Sequence, residues 1–147
     1  MFGQILKVNL ALLKDGEIIA IMYHYPNDHP VRSKLEVLNS RPSAISGVYT
    51  NRKIFVIDSI LDESEKPKPG FLVTDPSRSK EDGSLICYPV GMAVDGMFMV
   101  ISIFHSRRSI FNQRFRNSYN EALKPFALRL KLEYSLLTPK ELTKGAG

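Results

Sequence analysis

The 147-residue sequence contains one cysteine, no internal repeat and no long apolar run. Because Cys87 has no second cysteine to pair with, an intramolecular disulfide is excluded, and we expect a reducing, cytoplasmic location. No segment reaches the roughly 18 consecutive apolar residues of a membrane span. The first residues lack the charged start and the cleavage site of a signal peptide. What is left is the composition of one globular domain, since 44% of the residues are apolar.

Sequence patterns that carry catalysis or hold metal ions are also missing. There is no G-x-S-x-G nucleophile elbow and no G-x-x-x-x-G-K-[ST] phosphate loop. A metal site needs clustered ligands, whereas His24, His29 and His105 are scattered along the chain. His24 and His105 each end a predicted strand, so their side chains could lie close together in the fold. The alternative interpretation is that they are two ordinary histidines that share no site. We therefore expect neither an enzyme, nor a catalytic residue, nor a metal site, and the sequence assigns no cofactor.

Positive charge is concentrated in the last third of the chain. Residues 101–147 hold 9 Lys/Arg and 3 Asp/Glu, a balance of +6, whereas residues 1–100 hold 11 and 12, a balance of −1. This third contains a basic patch, Arg107, Arg108, Arg114 and Arg116, interleaved with the aromatic residues Phe111, Phe115 and Tyr119. Such interleaving is typical of segments that stack bases and neutralise phosphates. The alternative interpretation is a solvated basic surface beside core aromatics.

Hydrophobic patterning predicts an antiparallel sheet followed by a long helix. Alternating apolar residues over 6–13 predict a strand, Asp15-Gly16 predicts a hairpin turn, and 17–25 forms the return strand. Further elements are expected as strands over 34–38, 53–57, 84–90 and 97–104, a short helix over 43–51, a long loop over 58–82 and a second hairpin turn at Asp95-Gly96.

The end of the sequence predicts the helix. The S-x-x-E spacing from Ser118 to Glu121 is typical of a capping box, and the helix should run to about Leu137 with a kink at Pro125. The expected fold class is α+β, a single antiparallel sheet of about five to six strands with the long C-terminal helix packed on one face. We expect a domain over 1–137 and a flexible tail over 138–147.

The predicted helix carries two apolar stripes. The wider stripe suits packing on the sheet and comprises Tyr119, Leu123, Phe126, Leu130 and Leu137 with Ala122 and Ala127. The narrower stripe consists of Leu128, Leu132 and Leu136, and a helix packed only on its own sheet has no need of it. It predicts a homodimer or a partner protein bound through the helix. The alternative is a set of scattered exposed leucines, which are common on protein surfaces.

Three stretches share the element order of a known family. LLKDGEIIAI matches a first hairpin, SAISGVYTNRKIFVIDSI a short helix and strand, and GSLICYPVGMAVDGMFMVISIF with PFALRLKLEY a second hairpin and closing helix. Together they resemble the GAF domain family over residues 4–137. The resemblance implies a ligand pocket on the sheet face opposite the closing helix. The chain departs from the family because it lacks the usual helix before the first strand. A second departure is that Asn51, Lys53, Phe55, Asp62 and Glu63 have the wrong spacing for the cyclic-nucleotide signature.

The resemblance implies a small-molecule-sensing or regulatory domain that couples ligand or partner binding to a dimerising terminal helix, in signalling or transcription. Polar side chains within or beside strands are the candidate ligand-binding residues: Tyr49, Asp58, Tyr88, Ser102 and His105. Cys87 lies in mid-strand and is expected to be a buried small apolar residue. Two alternatives stand beside this interpretation: a ligand-free interaction or assembly module of the same fold, and a basic regulatory protein that binds nucleic acid.

Overall fold

The computed structural model of the chain describes residues 6–25, 44–64 and 82–146. Within these ranges the predicted fold class is confirmed, because the protein is α+β with one open five-stranded antiparallel sheet and a C-terminal helix packed against it. The expected strand over 34–38, most of the expected loop over 58–82, His29 and the side chain of His24 lie outside the described residues.

Five strands and three helices make up the described part of the chain. The strands are β1 Leu6–Lys14, β2 Glu17–Tyr25, β3 Phe55–Ile57, β4 Ser84–Met92 and β5 Phe98–His105. The helices are α1 Ala44–Asn51, α2 Ile60–Ser64 and α3 Arg116–Ala146, with a 3-10 turn at Gln113–Phe115 directly before α3. The strand order is β2-β1-β5-β4-β3, and every neighbouring pair is antiparallel.

Both Asp-Gly dipeptides form the hairpin turns that the sequence predicts. Asp15 and Gly16 have φ of 52° and 86°, the pair of left-handed residues that a type I′ turn requires. In the second hairpin Gly96 has φ of 86° and its N–H donates to the carbonyl of Ala93 at 3.0 Å. The N–H of Ala93 donates to the carbonyl of Met97 at 2.7 Å and closes this longer loop. The two turns place β1 beside β2 and β4 beside β5.

Both faces of the sheet are buried, each against a different helix, because successive strand residues point to opposite faces. The cluster beneath α3 comprises Leu10, Leu12, Ile54, Val56, Ile86, Tyr88, Val90, Ala93, Met99, Ile101 and Ala127. The cluster beneath α1 comprises Ala11, Leu13, Ile18, Ala44, Val48, Ile57, Cys87, Phe98 and Val100. We call these the α3 face and the α1 face of the sheet.

The beginning of α3 differs from the prediction. The helix begins at Arg116, and the side chain of Asn112 caps the preceding 3-10 turn by accepting from the N–H of Arg114 at 3.0 Å. The predicted cap, Ser118, is an exposed residue inside the helix. The S-x-x-E spacing was therefore misleading, because Asn112 already accepts from the 3-10 turn that leads into the helix.

The orientation of α3 on the sheet and the length of the helix also differ in part from the prediction. Ala127 is only 5% exposed and lies on the buried side, whereas Phe126, expected in the core, is 65% exposed. One residue is a rotation of about 100° around a helix, which is enough to turn Phe126 away from the sheet. The helix passes through Pro125 and continues to Ala146. The division into a domain over 1–137 and a flexible tail over 138–147 stays a prediction.

The short helix α2 lies in the stretch that was expected to be loop. Ser59 precedes it, and its hydroxyl accepts from the N–H of Asp62 at 3.1 Å, the contact of an N-cap residue. Asp62 and Glu63 place negative charge in the first turn, where it is favourable. The sequence therefore contains a helix start here, Ser59 followed by Asp62 and Glu63. The surrounding charges and prolines led instead to the prediction of a loop.

Candidate functional site

The side of α3 that faces away from the sheet is a candidate interaction surface. Leu128, Leu132 and Leu136 are 64%, 63% and 66% exposed. Their spacing of four residues places them in one row along the helix. We call these three residues the outer leucine row. The sequence singled out the same three residues, and the structure shows that their side chains lie at the surface of the chain.

The opposite side of α3 is committed to the sheet. Ala127 is buried in the α3-face cluster, and Leu123, Leu130 and Tyr134 pack against it as partly buried side chains. Beyond this packing, the hydroxyl of Tyr134 hydrogen-bonds to the Asp95 carboxylate in the β4–β5 turn. One helix therefore contacts the sheet with one side and presents the outer leucine row with the other.

Charged residues accompany the outer leucine row. The Nε of Arg129 lies 3.1 Å from a carboxylate oxygen of Glu133, one turn further along the helix, and both side chains are mostly exposed. An exposed i,i+4 pair of this kind stabilises a helix by only about 0.3–0.5 kcal/mol. Both charges are therefore available to a partner at little cost to the helix.

The candidate ligand-binding residues lie in different parts of the fold. Tyr88 is buried beneath α3, whereas Ser102 lies on the α1 face, with its Oγ 3.4 Å from the Sγ of Cys87. Tyr49, on α1, packs edge-on against Phe98 with ring centroids 5.3 Å apart. Tyr88 is thus separated from Tyr49 and Ser102 by the thickness of the sheet.

The other two candidates hold connections between elements. The Asp58 carboxylate accepts from the N–H of Gln113 at 2.8 Å, and the Asp58 carbonyl accepts from the N–H of Ser109 at 2.7 Å. The Nδ1 of His105 accepts from the N–H of Arg107 at 3.0 Å. In the described part of the chain the five candidates therefore do not converge on one place, and a ligand for any of them stays a prediction. Among the described residues, no three His, Cys, Asp or Glu side chains form a group that could hold a metal ion.

The basic patch is divided by its contacts. Arg108 forms ion pairs with Asp62 and Asp82, so its charge is largely compensated within the chain. The Arg114 guanidinium lies 5.5 Å from the centre of the Phe115 ring, and Arg116 begins α3. Nucleic-acid binding by this patch stays a prediction, with one of its four cations already paired.

One constellation that sequence reasoning missed surrounds Asp82, just before β4. A single carboxylate oxygen of Asp82 accepts from the Ser59 hydroxyl at 2.8 Å, the Gly83 N–H at 2.8 Å and the Leu61 N–H at 3.2 Å. Its second oxygen lies 3.5 Å from the Nε of Arg108. We call this group of contacts the Asp82 clamp. It ties the start of α2 to the start of β4, although Ser59 and Asp82 are 23 positions apart in sequence.

The charge on Asp82 is stabilised by these contacts. Burial acts to raise the pKa of the carboxyl group, but the hydrogen bonds from Gly83, Ser59 and Leu61 and the nearby Arg108 charge together hold it below its usual value of 3.8. At Cys87 the balance is reversed, because burial raises the pKa of the thiol to about 12 despite the hydrogen bond with Ser102. Cys87 is 1% exposed, in agreement with the buried apolar residue expected from the sequence.

Comparison with known proteins identifies no relative of this chain. No protein-family model, curated protein or solved structure matches the chain. The resemblance to GAF domains therefore depends on the sequence stretches alone and stays a prediction. None of the described helices is long and apolar enough to cross a membrane.

Proposed function

We propose that this chain is a non-catalytic regulatory module of the GAF type that forms a homodimer through the outer leucine row. The observation that carries the proposal is the exposure of nearly two-thirds of each leucine, Leu128, Leu132 and Leu136, in one row on the helix that covers the sheet. Three aligned large apolar side chains on a surface are typical of an interaction site. A cytoplasmic location belongs to the same proposal, since Cys87 is a free cysteine.

A second copy of the chain is the occupant that fits this row best. Residues spaced by four form a ridge, and two such ridges interdigitate in the commonest class of helix packing, with a crossing angle near −50°. With Leu132 on a two-fold axis and the helices antiparallel, Leu128 of one copy meets Leu136 of the other. Arg129 and Glu133 lie on the same side of the row, so each comes beside the opposite charge of the second copy.

The energy of this contact places the dimer in a weak to moderate range. Full burial of a leucine side chain contributes about 1.5–3 kcal/mol, so six leucines that are two-thirds exposed contribute roughly 6–12 kcal/mol in all. Association costs about 4–15 kcal/mol in lost freedom. The two ranges overlap, so the leucines come close to offsetting the cost of association, and the proposed dimer is weak and reversible, with a population that follows concentration and the seating of the helix.

A dimer population that responds to the seating of α3 supports a regulatory role. The helix side with Ala127, Leu123 and Leu130 packs on the sheet, so a change in the sheet or its loops that shifts α3 also moves the outer leucine row. A ligand that binds one seating of α3 more tightly than another shifts the dimer equilibrium, and dimerisation shifts ligand affinity equally. A ligand-free assembly module would use the same surface, and the two functions differ in whether a ligand changes the dimer population.

The test replaces Leu132 by glutamate and measures mass over a concentration series by sedimentation velocity. Wild-type chains should show a mass that rises with concentration, whereas Leu132→Glu should remain monomeric with an unchanged circular dichroism spectrum. Phe126→Glu is the matched control, since Phe126 has the same exposure on the same helix but lies off the row. The control should dimerise like wild type, and equal masses for wild type and Leu132→Glu would refute the proposal.

Cross-linking then tests the antiparallel arrangement. Leu128→Cys chains mixed with Leu136→Cys chains should form a disulfide dimer under mild oxidation, because these positions meet across the axis. Leu128→Cys chains alone should cross-link much more slowly. Buried Cys87 is a weak competitor in this assay, since its side chain is 1% exposed. Faster cross-linking of Leu128→Cys chains alone would indicate a parallel pair and contradict the arrangement.

A further inference from the structure

A cleft of about 590 Å³ lies at the β3 edge of the sheet, separate from the outer leucine row. Residues of α1, β3 and the loop between them line it, together with Gln113 from the 3-10 turn and Arg116 from the first turn of α3. Among the described strands, β3 is the last in the sheet and pairs with β4, and its residues Phe55 and Val56 line the cleft. Its volume lies within the roughly 300–1,000 Å³ of small-molecule pockets.

The lining combines an apolar base with a cationic rim. Val48, Ile54 and Val56 are buried side chains that also belong to the two core clusters. Lys53 and Arg116 add two positive charges, and none of the described residues that line the cleft is an aspartate or a glutamate. Neither cation forms an ion pair within residues 6–25, 44–64 and 82–146. Two cations that have no ion-pair partner among the described residues, next to apolar side chains, suit the binding of an organic anion.

The loop that carries Lys53 is held in place by its neighbour. Arg52 directly follows α1 and has a left-handed backbone with φ of 58°, and its N–H donates to the carbonyl of Val48 at 2.8 Å. Its guanidinium lies 4.4 Å from the centre of the Tyr49 ring and 4.0 Å from that of Phe98. Cation–π contacts of this kind contribute about 0.5–2 kcal/mol. Lys53 therefore extends from an anchored segment, although its own side chain is exposed.

The carboxylates of this region belong to another cleft. Asp58, Asp62 and Glu63 line a second opening of about 310 Å³, which shares Gln113 with the larger cleft. Asp58 accepts from the Gln113 N–H, and Asp62 pairs with Arg108. Asp62 is thus charge-paired, whereas Asp58 keeps its negative charge beside Gln113, and the positive charge on the lining of the larger cleft comes from Lys53 and Arg116.

We propose that the cleft at the β3 edge binds a small organic anion, with a carboxylate or phosphate group between Lys53 and Arg116 and an apolar body against Ile54 and Val56. Arg116 is the first residue of α3. A ligand held by Arg116 therefore contacts the helix that also carries the outer leucine row. The binding site goes beyond self-association and does not depend on it, because neither cation belongs to that row.

Phenyl phosphate, benzoate and neutral benzyl alcohol are the probes, since all three share a phenyl ring and differ in charge. Each is titrated into the ¹⁵N-labelled full chain, and amide chemical shifts are followed by NMR. We expect concentration-dependent shifts at the amides of Asn51, Lys53, Phe55 and Gln113 with at least one anion, and far smaller shifts with the alcohol. Binding of phenyl phosphate alone indicates a phosphate ester as the ligand, and binding of benzoate alone indicates a carboxylate.

Charge variants locate the site. Lys53→Ala and Arg116→Ala should each weaken binding of the active probe by about 1.5-fold to fivefold, the range for an exposed charge contact. Lys14→Ala is the matched control, because it removes one positive charge from the β1–β2 hairpin end and should leave binding unchanged. Shifts that fall outside the cleft, equal shifts with benzyl alcohol, or equal affinities for all three variants would overturn the proposal. Failure of these titrations leaves the sedimentation result for Leu132→Glu unaffected, so the two proposals fail separately.

Discussion

Replacing Asp82 by alanine should destabilise the protein by about 3 kcal/mol, because three donors lose the same carboxylate oxygen. A hydrogen bond to a charged group contributes about 1.5–3 kcal/mol, so three bonds set an upper limit of roughly 9 kcal/mol. The Asp82 side chain is 24% exposed, and water can therefore reach part of the vacated site. The bond from Gly83, the next residue in the chain, is the least costly to lose. With both reductions, the expected loss in the free energy of unfolding is about 3 kcal/mol.

Asp82→Asn is the variant that separates geometry from charge. An asparagine oxygen can accept from Ser59, Leu61 and Gly83, so the hydrogen-bond pattern survives. The variant loses the charge that faces Arg108, whose side chain is 56% exposed, and such a pair contributes only about 0–1 kcal/mol. Its three hydrogen bonds also become the weaker, neutral kind, so we expect a loss of about 1–2 kcal/mol for Asp82→Asn, below that of Asp82→Ala.

The measurement is urea unfolding followed by circular dichroism, since the chain has no tryptophan to report by fluorescence. Repeating it from neutral to acid pH tests the charge itself. The folded state holds the pKa of Asp82 below 3.8, so the unfolded chain binds the proton first as the pH falls. The stability gained from Asp82 is present above about pH 4 and is lost as the pH falls through the folded pKa.

Asp82→Asn should lack this acid-dependent contribution. Losses of equal size in Asp82→Ala and Asp82→Asn would show that the three hydrogen bonds do not hold the clamp. An alanine variant within about 0.5 kcal/mol of wild type, the usual range for an unremarkable surface change, would refute the clamp altogether.

Two further predictions concern the core and the backbone. Because burial raises the pKa of the Cys87 thiol from 9.0 to about 12, the unfolded chain loses its proton first as the pH rises. Alkaline urea titrations should show stability falling by about 1.4 kcal/mol per pH unit above pH 9 in wild type relative to Cys87→Ala, and parallel curves would contradict this. Gly83→Ala should cost about 1–3 kcal/mol, since a Cβ there would lie 2.5 Å from the Phe104 ring and 2.7 Å from the His105 carbonyl oxygen. Gly47→Ala, with open space around its Cβ in α1, should instead gain about 0.5–1 kcal/mol by thermal unfolding, and the opposite order of the two variants would disprove this reasoning.

The local elements of the fold were within reach of sequence reasoning. The β1–β2 turn depends on Asp15 and Gly16 themselves, since positive φ at two successive positions is a property of those residue types. The outer leucine row could also be predicted, because spacing along a helix decides which residues share a side. The same reasoning failed at Phe126, where the rotation of α3 on the sheet decides which neighbour is buried.

The candidate ligand-binding residues show where local reasoning ends. Each was chosen for its polar side chain at or beside a strand, yet Tyr88 and Ser102 lie on opposite faces of the sheet. Alternation along one strand tells which residues share a face of that strand. It does not tell which polar groups from different strands, helices and loops meet, because that depends on register and packing.

The sequence by itself therefore determined what depends on near neighbours: the two hairpin turns, the antiparallel α+β class and the leucine row on α3. The tertiary structure decided the Asp82 clamp and the cleft between Lys53 and Arg116. Residues far apart in sequence form both, and Asp82 meets Ser59 only because α2 is held against the start of β4. Contacts of that range follow from the pairing of β3 with β4 and the seating of α3, which a pattern along the chain does not encode.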